Sequence, residues 1–190
     1  MGFLDTLLGR TKPVPPNLDT LFALPTAAIT LEAATDFKPT GTGSVCFRSA
    51  EGKAFSDIEH DVRELLAMGE SKTSAQVSTD SYGFTWLVCT HSGDDVEGLV
   101  TDLHAVNSSL ELGGFGPQLL CTILRFRDSR DRALGLVYLY KRGSFYPFAP
   151  IGGERRDSAL EMQVRGSLGA DLKIEPDLGR WFPVWGAPGL

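Results

Sequence analysis

Cationic side chains are scarce in the first part of this chain: residues 1–112 hold 7 Lys and Arg against 16 Asp and Glu, a local charge of −9 within a formal total of −6. Phosphate backbones are gripped by many clustered cations, so nucleic acid is not expected as a partner. Residues 113–190 reverse the balance, 11 against 8, and can present a modest basic surface. Cysteine is as sparse. Cys46, Cys89 and Cys121 are odd in number, far apart in sequence and each set in an apolar, strand-like run, which reads as buried thiols in a reducing cytoplasm and not as a disulfide frame. No run approaches the ~20 apolar residues of a spanning helix. The first residues lack the cationic start and apolar block of a signal peptide, so export is not expected.

Motifs that carry chemistry are missing too. The sequence has no His-Glu-x-x-His helix, Cys-x-x-Cys pair, Walker loop or Gly-x-Ser-x-Gly elbow. His60, His91 and His104 are scattered without metal-ligand spacing, and surface or packing roles are expected for them; His104, beside an apolar helical stripe, is the least easily dismissed. Gly113-Gly114-Phe115-Gly116-Pro117 follows a helix pattern and precedes a strand pattern. A phosphate loop needs the reverse order, so this is a helix stop. No catalytic, cofactor-binding or metal-ligating residue is assigned.

What is present is an α+β pattern with an unusual leader. Phe3, Leu4, Leu7 and Leu8 fall at helical spacing over about two turns, and Pro13, Pro15 and Pro16 then impose an extended spacer. Residues 1–16 are thus expected as an amphipathic leader and linker, and 17–190 as one α+β domain. Burying four such side chains contributes roughly 6–10 kcal/mol in the ideal limit. Ordering about ten residues costs a similar amount, so the leader is a weak anchor that favours a shaped protein groove over a bilayer.

Along the body, residues 17–35 read as one or two helical pieces, and 44–48 as a short strand after a turn at Gly41–Gly43. A capping box, Ser56 with Glu59, opens a helix carrying Ile58, Val62, Leu65 and Leu66. Strands follow at 75–79 and 84–90 around a turn at 80–83. Asp94 and Glu97 repeat the capping pattern for a helix through Leu110, stopped by Gly113 and Gly114. A strand at 118–127 returns as 134–141 and continues through 145–148; apolar residues on both its faces imply a central, covered strand. A last helix is expected near 157–168, and the aromatic tail Trp181-Phe182-Pro183-Val184-Trp185 is expected to dock on the body. Short turns between neighbouring strands favour a mostly antiparallel sheet with packed helices.

Lys141, Arg142, Arg155 and Arg156 flank Phe145 and Tyr146. Cations beside aromatic rings can form a surface for anionic lipid or an acidic partner, or can be charged element ends that simply stay wet.

Taken together, MGFLDTLLGR, LVTDLHAVNSSLE, GFGPQLLC, LVYLYKRGSFYPFAP, GGERRD and WFPVWGAPGL resemble the PspA-associated PspAB family of actinobacteria, across almost the whole chain. The resemblance implies a cytoplasmic accessory of the phage-shock envelope stress response, associated with the membrane-remodelling protein PspA and, in some genomes, with an HtpX-type membrane metalloprotease. It carries no catalytic residues with it. A non-enzymatic adaptor is therefore the leading expectation, located in the cytoplasm or peripherally at the inner face of the membrane. A peripheral membrane-surface protein, a self-associating subunit and an enzyme of unassigned class are the alternatives.

Overall fold

The structure is a computed structural model that describes residues 16–48, 76–190 and, in the helix between them, positions 57, 60, 62 and 64. The expected leader with Phe3, Leu4, Leu7 and Leu8, the expected capping box at Ser56 and Glu59, and Ile58, Leu65 and Leu66, expected on the buried face of that helix, lie outside the described residues.

Among the described residues, six strands form one antiparallel sheet, and with the packed helices this makes the fold α+β. They are β1 (Lys38–Arg48), β2 (Gln76–Thr79), β3 (Phe84–Thr90), β4 (Leu119–Arg127), β5 (Ala133–Leu139) and β6 (Ser144–Phe148), in spatial order β2-β3-β1-β4-β5-β6. Among the fully described elements, three α-helices accompany them: α1 (Leu24–Ala34), preceded by a 3-10 turn at Leu18–Ala23, α2 (Val96–Leu110) and α3 (Ser158–Leu168).

Strand alternation sorts the core into two layers. Val45, Phe47, Leu87, Leu124, Phe126, Leu136, Tyr138 and Phe145 join a core with Leu21, Leu24 and Leu31 at the front and Leu99, Val100, Leu103 and Leu160 from α2 and α3. Cys46, Trp86, Cys121, Ile123, Val137, Leu139, Tyr146 and Phe148 point the other way, where Trp181 and Ala187 of the C-terminal segment cover them. Strand β5 is buried on both faces, as its sequence implies.

Three local expectations are corrected. Gly41–Gly43 is not a turn before a short strand but the middle of β1, where the β1–β4 register shifts between Pro39 and Gly43. Gly41 has φ +72°, and a Cβ there would meet the His91 carbonyl oxygen at 2.3 Å, so the bulge requires glycine. Helix α2 is capped by Asp95, whose carboxylate accepts the Gly98 N–H at 3.0 Å, and not by Asp94. Residues 145–148 do not continue β5; Gly143, at φ +59°, lets the chain reverse into the separate strand β6.

His91 locks this bulge to α2. Its side chain is 1% exposed, and its ring nitrogens lie 2.7 Å from Asp95 and 2.7 Å from Asp102, while its backbone N–H donates to Gly41 O at 2.8 Å. Burial alone would disfavour the charged ring, but hydrogen bonds to the two carboxylates outweigh it and raise the imidazole pKa. The hydrogen bond from His91, with that from Gly98 N–H, lowers the Asp95 pKa.

The signs define a pH window. The imidazole's contribution is complete below its ordinary value and is lost as pH rises through the raised folded-state value; the Asp95 contribution is lost as pH falls through its lowered value. Urea unfolding from pH 6 to pH 9 should therefore show stability declining on the alkaline side of the imidazole range, a decline that His91→Gln abolishes while itself costing of order 2 kcal/mol at pH 6. An unchanged alkaline slope in the variant would contradict the assignment.

Candidate binding cavity on the strapped sheet face

The C-terminal segment crosses the sheet opposite the helices and is tied down at several points. The Trp181 ring stacks on Tyr146 with centroids 5.8 Å apart, and its indole N–H donates to Glu175 O at 3.0 Å. Trp185 meets Phe148 edge-on at 4.9 Å. The Tyr146 hydroxyl donates to Phe182 O at 2.7 Å. Arg156 is the central tie: its Nη1 donates to Trp181 O, its Nε to Glu161 at 2.8 Å, and its guanidinium lies 5.0 Å from the Phe148 ring centroid. Glu161, 3% exposed, also accepts the Ala149 N–H at 2.9 Å, so the buried carboxylate is both paired and hydrogen-bonded. At the chain's end, Arg125 Nη2 donates to Gly189 O.

Between this strap and the sheet lies a cavity of about 750 Å³. Its apolar lining includes Phe84, Trp86, Leu120, Leu139, Val184 and Trp185. A register shift after the Cys46–Cys121 pairing, where Phe47 opposes Leu119, inserts an extra residue in β4, so adjacent residues Leu120 and Cys121 both line the cavity. Cys46 and Cys121 are direct cross-strand partners and both are free thiols. The neighbouring Cys121 thiol, together with burial, pushes the Cys46 pKa well up and keeps it protonated at neutral pH. Burial likewise raises the Tyr146 hydroxyl well above its ordinary value.

Polar groups gather at one end. Arg48 and Lys141 stand two residues beyond Cys46 and Leu139, at the same end of the sheet, and both line the cavity and are exposed. Arg142 and Arg180 line it as well but are paired, with Glu175 at 3.5 Å and with Asp177 at 3.0 Å. Asp80 accepts from Trp86 Nε1 at 2.8 Å and from the Tyr82 and Phe84 N–H groups, each at 2.9 Å.

The six residues flagged around 141–156 thus separate. Lys141, Arg142 and Tyr146 meet at this cavity. Phe145 is fully buried in the helix-side core, because adjacent strand residues face opposite ways. Arg155 is exposed, its Nε donating to Gly152 O at 3.4 Å, and Arg156 is spent on holding the strap. They do not form one surface.

Of the histidines, His60 pairs at the surface with Glu64 at 3.2 Å, and His104 packs against Phe22 with ring centroids 4.8 Å apart. The built environment belongs to His91, which sequence spacing did not single out. Among the described residues, no group of three or more His, Cys, Asp or Glu could hold a metal ion.

Trp181→Ala should cost about 3–5 kcal/mol in urea unfolding, the range for truncating a buried tryptophan. Native-state alkylation of Cys46 and Cys121 should accelerate in the same variant while Cys89, on the helix side, stays protected. Equal acceleration at all three thiols would mean that the strap does not guard this face separately.

A family model described as PspA associated protein B matches residues 1–189, whereas no curated protein and no solved structure matches the chain. The match runs from residue 1 through the six described strands and the strap. On that extent, the chain belongs to the PspA associated protein B family.

Proposed function

We propose that this chain is a non-enzymatic adaptor of the PspA envelope stress response and that it binds a PspA-type protein. The observation that carries the reading is the family match, whose span of residues 1–189 includes the leader as well as the folded body. Phe3, Leu4, Leu7 and Leu8 form the docking face, the prolines that follow provide reach, and the sheet is the rigid platform behind them. A short amphipathic segment binds best where a partner groove supplies the shape that a bilayer lacks. An HtpX-type membrane protease is the second partner in this reading.

Capture of the PspA-type protein from cells under envelope stress tests it. The double variant Leu4→Asp with Leu7→Asp removes roughly 3–6 kcal/mol of apolar burial, so retained PspA should fall at least a hundredfold by order of magnitude. Undiminished capture would remove the leader from the account, and failure of the unaltered chain to retain PspA would remove the adaptor itself. The same eluates, probed for the HtpX-type protease, test the second partner.

A further inference from the structure

We propose that the cavity beneath the C-terminal strap binds one single-chain anionic lipid, with its hydrocarbon chain along Trp86, Leu120 and Leu139 and its head group at Arg48 and Lys141. The proposal does not depend on the adaptor reading.

Size and lining set the ligand class. About 750 Å³ lies within the range of small-molecule sites, and such sites pair mostly apolar walls with a few placed polar groups. Here the polar groups are at one end and the apolar ones elsewhere, the layout of an amphiphile.

Charge at the mouth sets the sign of the head group. Asp80 is committed to the Trp86 indole and two backbone N–H groups. Glu175 accepts from the Ser144 hydroxyl at 2.7 Å and faces Arg142, and Asp177 faces Arg180. Arg48 and Lys141 have no ion-pair partner among the described residues. Two exposed cations at the open end of an apolar cavity are complementary to a carboxylate or phosphate attached to an alkyl chain.

The cavity floor disfavours a peptide. It is the face of a sheet whose strands β3, β1, β4 and β5 each have a neighbour on both sides, so their backbone groups are taken up by the ladder. A polypeptide lying there would bury N–H and C=O groups without partners, whereas an alkyl chain has none to satisfy. The strap also closes over the site, with Val184 and Trp185 half-buried, which suits one chain in place of a bilayer surface.

Delipidated full-length protein, titrated with oleate and separately with lyso-phosphatidylglycerol, tests the proposal by native mass spectrometry and by quenching of tryptophan fluorescence with a brominated fatty acid. One molecule should bind per chain. Monoolein, which is neutral, and octanoate, which is short, should each bind at least about tenfold more weakly. Arg48→Glu with Lys141→Glu should weaken oleate and lyso-phosphatidylglycerol at least about tenfold; both side chains are exposed, and circular dichroism verifies the fold. The relative strength of oleate and lyso-phosphatidylglycerol tells carboxylate from phosphate preference. Absence of a one-to-one complex with either, binding untouched by the charge reversal, or binding confined to phosphatidylglycerol vesicles or to an acidic amphipathic peptide would each overturn it.

Discussion

Everything in this fold hangs on β1 bonding to two partners at once. On one side it pairs with β3, and through it β2; on the other it pairs with β4, and through it β5 and β6. Both partners lie far from β1 along the chain, so the pairings are non-local and each must repay the loop it closes. Two register shifts let one strand serve both sides. At Gly41 the shift brings β1 against the His91 carbonyl, and between Leu119 and Cys121 it turns two successive side chains, Leu120 and Cys121, toward the strap.

The two faces of that sheet are covered by different means. Helices α1, α2 and α3 present regular apolar stripes that interdigitate with the strands, and the resulting core includes many fully buried side chains. An irregular segment such as residues 178–190 has no repeating stripe. It contacts the other face through individual anchors, Trp181, Trp185 and Ala187, and leaves space between them. Two ion pairs with buried carboxylates, Arg156 with Glu161 and the half-exposed Arg142 with Glu175, sit beside those anchors, where the loss of the arginine would leave a buried carboxylate without its ion-pair partner.

Much of the architecture was legible because its signals are local. The 3.6-residue beat from Val96 to Leu110, the alternation in β5 and the glycine at Gly83 each specify their own conformation within a few residues. Where a glycine belonged to a bulge, the same local logic misread it: Gly41 and Gly43 look like a turn unless β3 and the His91 carbonyl are known to lie beside them. The site was harder still. Phe145 and Tyr146 look like one aromatic patch, yet a period of two sends them to opposite faces, a signal present in the sequence and overridden by their proximity to cations. The pairing of Cys46 with Cys121, and the joining of Arg48 to Lys141 at one mouth, depend on strand order, which no local pattern encodes.

The family match gives the chain its connection to PspA, and the proposed adaptor role turns that connection into a physical claim: the two proteins touch. Isothermal titration of the purified full-length chain with the purified PspA-type protein from the same genome, in detergent-free buffer without membranes, measures this directly. The account predicts saturable, stoichiometric association that is lost when residues 1–16 are removed. No association at micromolar concentrations, with both proteins folded, would contradict it.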